Sequence, residues 1–179
     1  MPNTIVLPVV RAMLASDIPA VMRIQAECYP PSMLESEEVF RARLALTPAT
    51  CWIWSPAPDC AGAYLFSYPS RKDVITPLGA QFKLAAAPDC LYLHDLAVAP
   101  VARGKRAANA LVAAALAHAR SVGLNWSALV SVQQSQSFWG TLGYQAATNG
   151  LPSQARKNLA SYQVSTDQPG AVYMLQQLL

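Results

Sequence analysis

The pattern of apolar and polar positions divides the chain into alternating strands and helices. Seven segments have the apolar runs or the two-residue alternation of strands: residues 5–14, 51–54, 61–68, 91–98, 127–132, a segment from Tyr144 onward, and 171–175. Four segments have helical spacing: from Ser16 up to Tyr29, from about Ser36 to Pro48, 107–122 and 135–142. The segment 69–89 has neither period and contains three prolines, which predicts a long surface loop.

The order of these segments predicts the fold class. The helix at 107–122 separates the strand at 91–98 from the strand that follows, so we expect those two strands to pair in parallel. The second and third strands are joined by a loop rich in turn residues, which predicts an antiparallel hairpin. We therefore predict one α/β (α+β) domain over residues 1–179, with a mixed, mostly antiparallel sheet flanked by helices.

The composition is that of a globular protein, with 53% apolar and 13% charged residues. The net charge is only +3, and the sequence has no long basic stripe of the kind found in nucleic-acid-binding proteins. The basic residues at 103–106 form a compact cluster that suits a small polyanion better than a nucleic acid. We therefore predict no nucleic-acid partner.

Cysteine and histidine residues give no sign of a metal site. No two of the four cysteines have C-x-x-C spacing, and His94 and His118 are the only histidines, so we predict that no metal is bound. The N-terminal segment lacks the features of a signal peptide, and the apolar run 107–117 is too short to span a bilayer. We expect a soluble, cytoplasmic protein with no membrane partner. The oligomeric state is left open, a dimer included.

The fold is organised around the segment LYLHDLAVAPVARGKRAAN, residues 91–109. Its apolar strand contains one histidine and one aspartate, and Pro100 is followed by the cationic residues Arg103, Lys105 and Arg106 before a helix begins. The first N–H groups of a helix lack intrahelical partners and carry partial positive charge. A strand, a basic turn and a helix N-terminus therefore form an arrangement suited to phosphate, although a solvated basic turn is the plainer alternative.

Two motifs resemble the GCN5-related N-acetyltransferase (GNAT) superfamily. The family has a strand followed by Gln/Arg-x-x-Gly-x-Gly/Ala and a helix, and the corresponding residues are Arg103-Gly104-Lys105-Arg106-Ala107-Ala108. The second motif, Tyr-x-x-x-Gly-Phe/Tyr, corresponds to Phe138-Trp139-Gly140-Thr141-Leu142-Gly143-Tyr144. The two are separated by the expected helix and strand. The resemblance covers roughly residues 5–148.

The resemblance implies that acetyl-CoA is the co-substrate. Its pyrophosphate would be enclosed, mainly through backbone amides, by Arg103, Gly104, Lys105, Arg106, Ala107 and Ala108. The N–H group of Leu96 would polarise the thioester carbonyl. The strand residues Ala97 and Val98 would lie along the pantetheine arm, where Val98 pairs with it like an added strand.

Three further residues are implied near the cofactor. Gln133 and Ser135 lie where family members often place a polar contact to the cofactor arm, although ordinary loop polarity explains them equally well. Trp139 would pack beside the thioester or fill the core.

Two residues depart from the family pattern. Arg106 stands at the first glycine of the motif, where its Cβ would crowd the phosphates or its guanidinium would add a charge-assisted contact. Trp139 stands where many members have a tyrosine as general acid, and an indole N–H cannot supply that proton. The general acid is left unassigned among four candidates: Tyr92, Tyr144, Tyr162 and Tyr173.

A narrower likeness concerns the strand Leu93-His94-Asp95-Leu96-Ala97-Val98. It is similar to the strand of arylalkylamine N-acetyltransferases, in which a histidine at the position of His94 helps to remove the amine proton. Those enzymes have a second histidine two residues earlier, where this chain has Tyr92. An unperturbed histidine titrates at about pH 6.5, so His94 is the candidate base, with a core histidine as the alternative. Tyr92 shares its strand face and is the second candidate catalytic residue, whereas Asp95 points to the other face.

The acceptor is predicted from the helical segment after the first strand. Tyr29 and Glu35 lie where the family usually shapes the acceptor pocket, and a carboxylate there would attract an ammonium group, although a solvated helix face is the alternative. We predict an acetyl-CoA-dependent N-acetyltransferase acting on the primary amine of a small molecule by direct attack on the thioester. The alternatives are a protein or peptide N-acetyltransferase and a non-catalytic acyl-CoA-binding module.

Overall fold

The computed structural model describes residues 8–57, 60–162 and 170–179. The strands are β1 (Val9–Ala12), β2 (Cys51–Ser55), β3 (Ala63–Ser70), β4 (Cys90–Val98), β5 (Trp126–Ser131), β6 (Gln145–Ala146) and β7 (Val172–Gln177). The helices are α1 (Ile18–Cys28), α2 (Glu37–Leu46), α3 (Ala107–Ser121), α4 (Gln136–Thr141) and α5 (Ser153–Ala160).

Within these ranges the strands form a seven-stranded sheet in the order β1-β2-β3-β4-β5-β7-β6. Strands β4 and β5 pair in parallel, whereas the β1–β2, β2–β3, β5–β7 and β6–β7 pairs are antiparallel. The predicted fold class, a mixed and mostly antiparallel sheet flanked by helices, is confirmed. The sequence pattern did not show that β7 inserts between β5 and β6.

The described residues cluster into two compact units, whose bounds include the stretches left undescribed. The first contains Met1–Phe66 and Asp95–Ala115, and the second contains Ser67–His94 and Leu116–Leu179. The division falls within β3, β4 and α3. The single domain expected over residues 1–179 stays a prediction.

In the first unit, α1 ends where the sequence predicts and begins at Ile18, two residues after the predicted start. The Asp17 carboxylate accepts hydrogen bonds at 2.7 Å from the Leu14 N–H and from the Arg11 guanidinium, which fixes the chain entering the helix. The helix ends at Cys28 because Pro30 disfavours helical backbone at Tyr29, whose ψ of 148° is extended. Its buried face consists of Ile18, Val21, Ile24 and Gln25.

Helix α2 packs against the sheet of the same unit through aromatic side chains. Ser36 caps it by accepting a hydrogen bond from the Val39 N–H at 3.4 Å, as expected for a serine before a helix. Phe40 points inward, with its ring centroid 6.1 Å from Tyr64 and 5.1 Å from Phe66. These contacts pack α2 onto β3.

The second unit differs from the prediction at two places. Helix α5 lies in a part of the tail for which we predicted no helix, because it buries only Ala155 and Leu159 and so shows too few apolar positions for a recognisable period. The loop predicted over 69–89 loses its first two residues to β3, which ends at Ser70. The remaining segment 71–89 contains no strand or helix, but it is not purely a surface loop. Ile75 and Phe82 are 2% and 5% exposed, so part of this segment belongs to the core.

Candidate active site

The predicted phosphate-binding turn lies in the first unit, between the end of β4 and the start of α3. A short 3₁₀ turn, Pro100–Ala102, follows the strand, and the Arg103 and Lys105 N–H groups donate to the Pro100 and Ala102 carbonyls at 3.2 and 3.3 Å. Helix α3 then begins at Ala107 and runs for 15 residues. The side chains of Arg103, Lys105 and Arg106 are all exposed.

Arg106 has the backbone conformation that the glycine of the family motif would adopt easily. Its φ is +59°, in the left-handed region, and Gly104 two residues earlier has a φ of +75°. A side chain in this conformation costs about 1–2 kcal/mol. The Arg106 carbonyl nevertheless accepts the hydrogen bond from the Ala110 N–H at 3.0 Å that starts α3. The departure from glycine is therefore accommodated in the turn at an energetic cost.

This turn fits the pyrophosphate of acetyl-CoA. Three exposed cationic side chains surround the N-terminus of a long helix, where the helix dipole and the backbone amides favour an anion. At Gly104 an added Cβ would meet no atom within 4 Å, so the space beside the turn is open. Backbone and charge both suit a phosphate group.

The C-terminal end of α1 contacts the strand that leads into this turn. The Cys28 thiol donates to the Val98 carbonyl at 3.2 Å. Burial raises the pKa of the Cys28 thiol, although the nearby Arg103 guanidinium acts in the opposite direction. The Tyr29 hydroxyl lies 2.7 Å from Asp95 Oδ1 and 3.1 Å from the Leu96 carbonyl. The first unit thus brings Tyr29 and Cys28 to the segment that carries the predicted cofactor contacts.

Asp95, for which the sequence predicted no role in the site, accepts hydrogen bonds from two tyrosine side chains. Its two carboxylate oxygens accept hydrogen bonds from Tyr29 at 2.7 Å and Tyr64 at 2.8 Å. Burial raises the pKa of Asp95 to about 6, although the two phenol hydrogen bonds act in the opposite direction. Burial, with the neighbouring Asp95 carboxylate, raises the pKa values of Tyr29 and Tyr64 well above the ordinary range. Strand alternation placed Asp95 opposite His94, but it gave no signal for its partners.

Glu35, predicted to attract the acceptor, forms a buried ion pair. The Arg43 guanidinium donates to the two Glu35 carboxylate oxygens at 2.5 and 2.6 Å, and the Arg43 side chain is 0% exposed. The Gln25 side-chain amide also bonds the Glu35 backbone. Its Nε2 donates to the Glu35 carbonyl at 2.7 Å, and its Oε1 accepts from the Glu35 N–H at 3.1 Å. These contacts give Glu35 a structural role, and its acceptor-binding role stays a prediction.

In the second unit, the structure brings the two predicted catalytic residues together. The rings of Tyr92 and His94 lie on one face of β4 with their centroids 6.1 Å apart. Phe82 meets the His94 ring edge-to-face at 5.2 Å. Tyr92 is 0% exposed, and burial, with the neighbouring hydroxyls of Tyr162 and Tyr68, raises its pKa well above the ordinary range. His94 is half-buried and is the more accessible of the pair.

The other cofactor-binding candidates lie after β5. Gln133 and Gln134 both have left-handed backbone, with φ of +51° and +60°, which is uncommon for residues other than glycine. The Ser135 hydroxyl donates to the Val132 carbonyl at 2.7 Å. Trp139 is 7% exposed, so it fills the core of the unit. Its predicted packing beside the thioester stays untested.

The remaining candidates for the general acid are each held by a hydrogen bond. The Tyr144 and Ser127 hydroxyls are 2.6 Å apart. The Tyr162 hydroxyl donates to the Thr76 carbonyl at 2.6 Å, and the Tyr173 hydroxyl accepts from the Asp73 N–H at 3.0 Å. Burial raises the pKa of Tyr144 and of Tyr173.

The described residues show neither a membrane span nor a cluster of metal ligands. They contain no helix with the length and apolar character needed to cross a membrane. In the same residues, no three His, Cys, Asp or Glu side chains are grouped so that they could hold a metal ion.

Solved structures with the same fold belong to proteins that are named for different activities. One is a GNAT-like decarboxylase, GphF, in complex with isobutyryl-CoA, at 17% identity and a TM-score of 0.72 over 96% of this chain and 100% of that chain. Another is the ribosomal-protein-S18-alanine N-acetyltransferase from Escherichia coli, at 15% identity and a TM-score of 0.65 over 96% and 94%. A third is a phosphinothricin acetyltransferase from Sinorhizobium meliloti in complex with acetyl-CoA. It has 13% identity and a TM-score of 0.67 over 96% of this chain and 88% of that chain. Likeness at these identities concerns the fold alone.

Sequence comparison identifies the family. None of the curated protein sequences matches the chain. The model of the acetyltransferase (GNAT) family matches residues 18–144, which include the basic turn and end at Tyr144 of the second motif. Because this match spans more than half of the chain, the protein belongs to the acetyltransferase (GNAT) family.

Proposed function

We propose that the protein is an acetyl-CoA-dependent N-acetyltransferase that acetylates the primary amine of a small molecule. The observation that carries this proposal is the half-buried His94 on the same strand, β4, that runs into the exposed basic turn at the start of α3. Two similar structures support acetyl-CoA as the co-substrate: one is named an N-acetyltransferase, and the other is an acetyltransferase in complex with acetyl-CoA. The likeness of Leu93–Val98 to arylalkylamine N-acetyltransferases supports an amine acceptor. Cytoplasmic location stays a prediction.

In this proposal His94 accepts the proton of the acceptor ammonium group at an imidazole nitrogen. The free amine then attacks the thioester carbonyl, and the C–N bond forms as the C–S bond breaks. The Leu96 N–H stabilises the negative charge that develops on the carbonyl oxygen. The basic turn, with Arg103 and Lys105, holds the pyrophosphate of the co-substrate by charge-assisted hydrogen bonds. As the amide forms, its nitrogen releases one further proton and the CoA thiolate takes up one proton to leave as the thiol. We leave unassigned the group that carries the proton between them.

The test is release of free thiol from acetyl-CoA with a panel of primary amines. The purified protein is compared with His94→Ala and with His118→Ala, which removes the second histidine, half-exposed near the end of α3. We expect His94→Ala to lower kcat/KM at neutral pH about 100-fold or more and to leave the Kd of acetyl-CoA unchanged. We expect His118→Ala to behave like the wild type.

Other outcomes would select the alternatives. Calorimetric binding of acetyl-CoA without thiol release from any amine would indicate a non-catalytic acyl-CoA-binding module. Thiol release with peptides but not with small amines would indicate a protein or peptide N-acetyltransferase. Absence of acetyl-CoA binding would overturn the proposed function altogether.

A further inference from the structure

The ring of Phe82 covers one side of His94 within the second unit. The two ring centroids are 5.2 Å apart and the rings meet at 77°, so one ring points its edge at the face of the other. Phe82 comes from the segment 71–89, which the sequence pattern predicted as a surface loop. Its side chain is nevertheless only 5% exposed, whereas His94 is half-buried.

Phe82 is fixed in this place by a second aromatic contact. It stacks on Tyr68 with the ring centroids 4.2 Å apart and the planes at 23°. Tyr68 is itself buried, its hydroxyl bonds the Thr76 hydroxyl, and its ring lies 5.4 Å from that of Tyr92. The position of the Phe82 ring is therefore determined by the core and not by a loose loop.

The backbone of the segment is also fixed, by hydrogen bonds from the end of α5. Three bonds join the two: Asn158 Nδ2 to the Ile75 carbonyl at 2.7 Å, the Tyr162 hydroxyl to the Thr76 carbonyl at 2.6 Å, and the Leu78 N–H to the Ser161 hydroxyl at 3.1 Å. These bonds attach residues 75–78 of a coil that has no strand or helix of its own to the end of α5.

On the basis of the proposed function, we propose that Phe82 limits the size of the amine that can reach His94. For proton transfer the amine nitrogen must lie about 2.6–3.2 Å from an imidazole nitrogen. An amine that reaches the imidazole on the side of Phe82 brings the carbon atoms next to its nitrogen within a few ångströms of the Phe82 ring. A short unbranched amine fits beside a fixed ring more easily than an amine with a bulky group near the nitrogen.

The test measures kcat/KM for two primary amines, a short unbranched alkylamine and an arylalkylamine, by thiol release from acetyl-CoA. The proteins are the wild type, Phe82→Ala, Phe82→Leu and the control Leu84→Ala. Leu84 lies on the same segment but is 48% exposed. We expect the ratio of arylalkylamine to alkylamine activity to rise about tenfold in Phe82→Ala, by less in Phe82→Leu, and not in Leu84→Ala.

The outcomes separate this inference from the proposed function. An active wild type with the same ratio in Phe82→Ala and Phe82→Leu overturns the role of Phe82 alone. Failure of the wild type to release thiol with any amine overturns the proposed function and this inference with it. If Phe82→Ala does not fold, as shown by its circular dichroism, the ratio in Phe82→Leu decides, because leucine keeps an apolar side chain in the buried place.

Discussion

The hydroxyl group of Tyr29, at the end of α1, donates a hydrogen bond to Asp95 Oδ1 at 2.7 Å. The same hydroxyl lies 3.1 Å from the carbonyl of Leu96, the residue whose N–H we propose as the donor to the reacting carbonyl. Tyr64 holds the second Asp95 oxygen at 2.8 Å. Asp95 therefore ties α1 and β3 to the stretch of β4 that follows His94.

The first prediction concerns the pH dependence of stability. Burial raises the pKa of Asp95 from 3.8 to about 6 in the folded protein. Between these pH values the folded protein binds more protons than the unfolded chain, so its free energy of unfolding falls as the pH rises through this window. Relative to Asp95→Asn, which does not titrate, the wild type should therefore lose stability from about pH 4 to about pH 6.

Urea denaturation of the two proteins at several pH values measures this difference. Above about pH 6 the difference between them should be constant, because Asp95 is then ionised in both folded and unfolded chains. Curves that stay parallel across the whole range would show that Asp95 has an ordinary pKa.

The second prediction concerns Glu35. Glu35→Gln leaves the buried Arg43 guanidinium without its charged partner, so we expect the free energy of unfolding to fall by about 3–5 kcal/mol. The matched control is Glu37→Gln, which breaks the exposed pair with Arg41 and should cost less than about 1 kcal/mol. Chemical denaturation measures both. A higher KM for the amine with unchanged stability would instead support acceptor binding by Glu35.

The third prediction concerns the backbone of Arg106. Because its φ is +59°, Arg106→Gly should be more stable than Arg106→Ala by about 1 kcal/mol, although both remove the same charge. Gly104→Ala is the reciprocal control: its added Cβ has open space, so any loss of stability comes from the left-handed backbone. Equal stability of the two Arg106 variants in urea would contradict the left-handed conformation.

The fourth prediction concerns the charge of the turn. Arg103→Gln should weaken acetyl-CoA binding about 10- to 100-fold, because a charge-assisted hydrogen bond contributes about 1.5–3 kcal/mol. The effect should shrink as salt is raised, and Arg120→Gln, exposed at the far end of α3, should have none. Calorimetry with acetyl-pantetheine, which lacks the pyrophosphate, supplies a further control. An equal loss of affinity for both ligands would place the contact of Arg103 elsewhere.

The sequence predicted those elements whose cause is local. Strand β4 and helix α3 were evident because an apolar run, a proline, a basic turn and an alanine-rich segment follow one another, and Gly123, with φ of +76°, ends the helix as expected. The parallel pairing of β4 with β5 follows from the helix between them. The order of the motifs then identified the family.

The features that the sequence did not predict depend on partners distant in the chain. Asp95 is a single acidic residue in an apolar strand, and nothing near it indicates that Tyr29 and Tyr64 will meet it. Phe82 lies in a segment without periodicity, so its contact with His94 becomes visible only in three dimensions. In the sequence, Glu35 is one of several glutamates near a predicted helix. Only the structure shows that the buried Arg43 pairs with it.

The hydrogen bonds that hold the segment 71–89 also determine when it can become ordered during synthesis. Asn158 and Tyr162 bond residues that precede them by 83 and 86 positions. On the ribosome, the chain around His94 therefore emerges well before the residues that fix the segment opposite it. We expect a nascent chain that ends before α5 to lack a fixed Phe82, so that the surroundings of His94 are completed only after α5 has been synthesised.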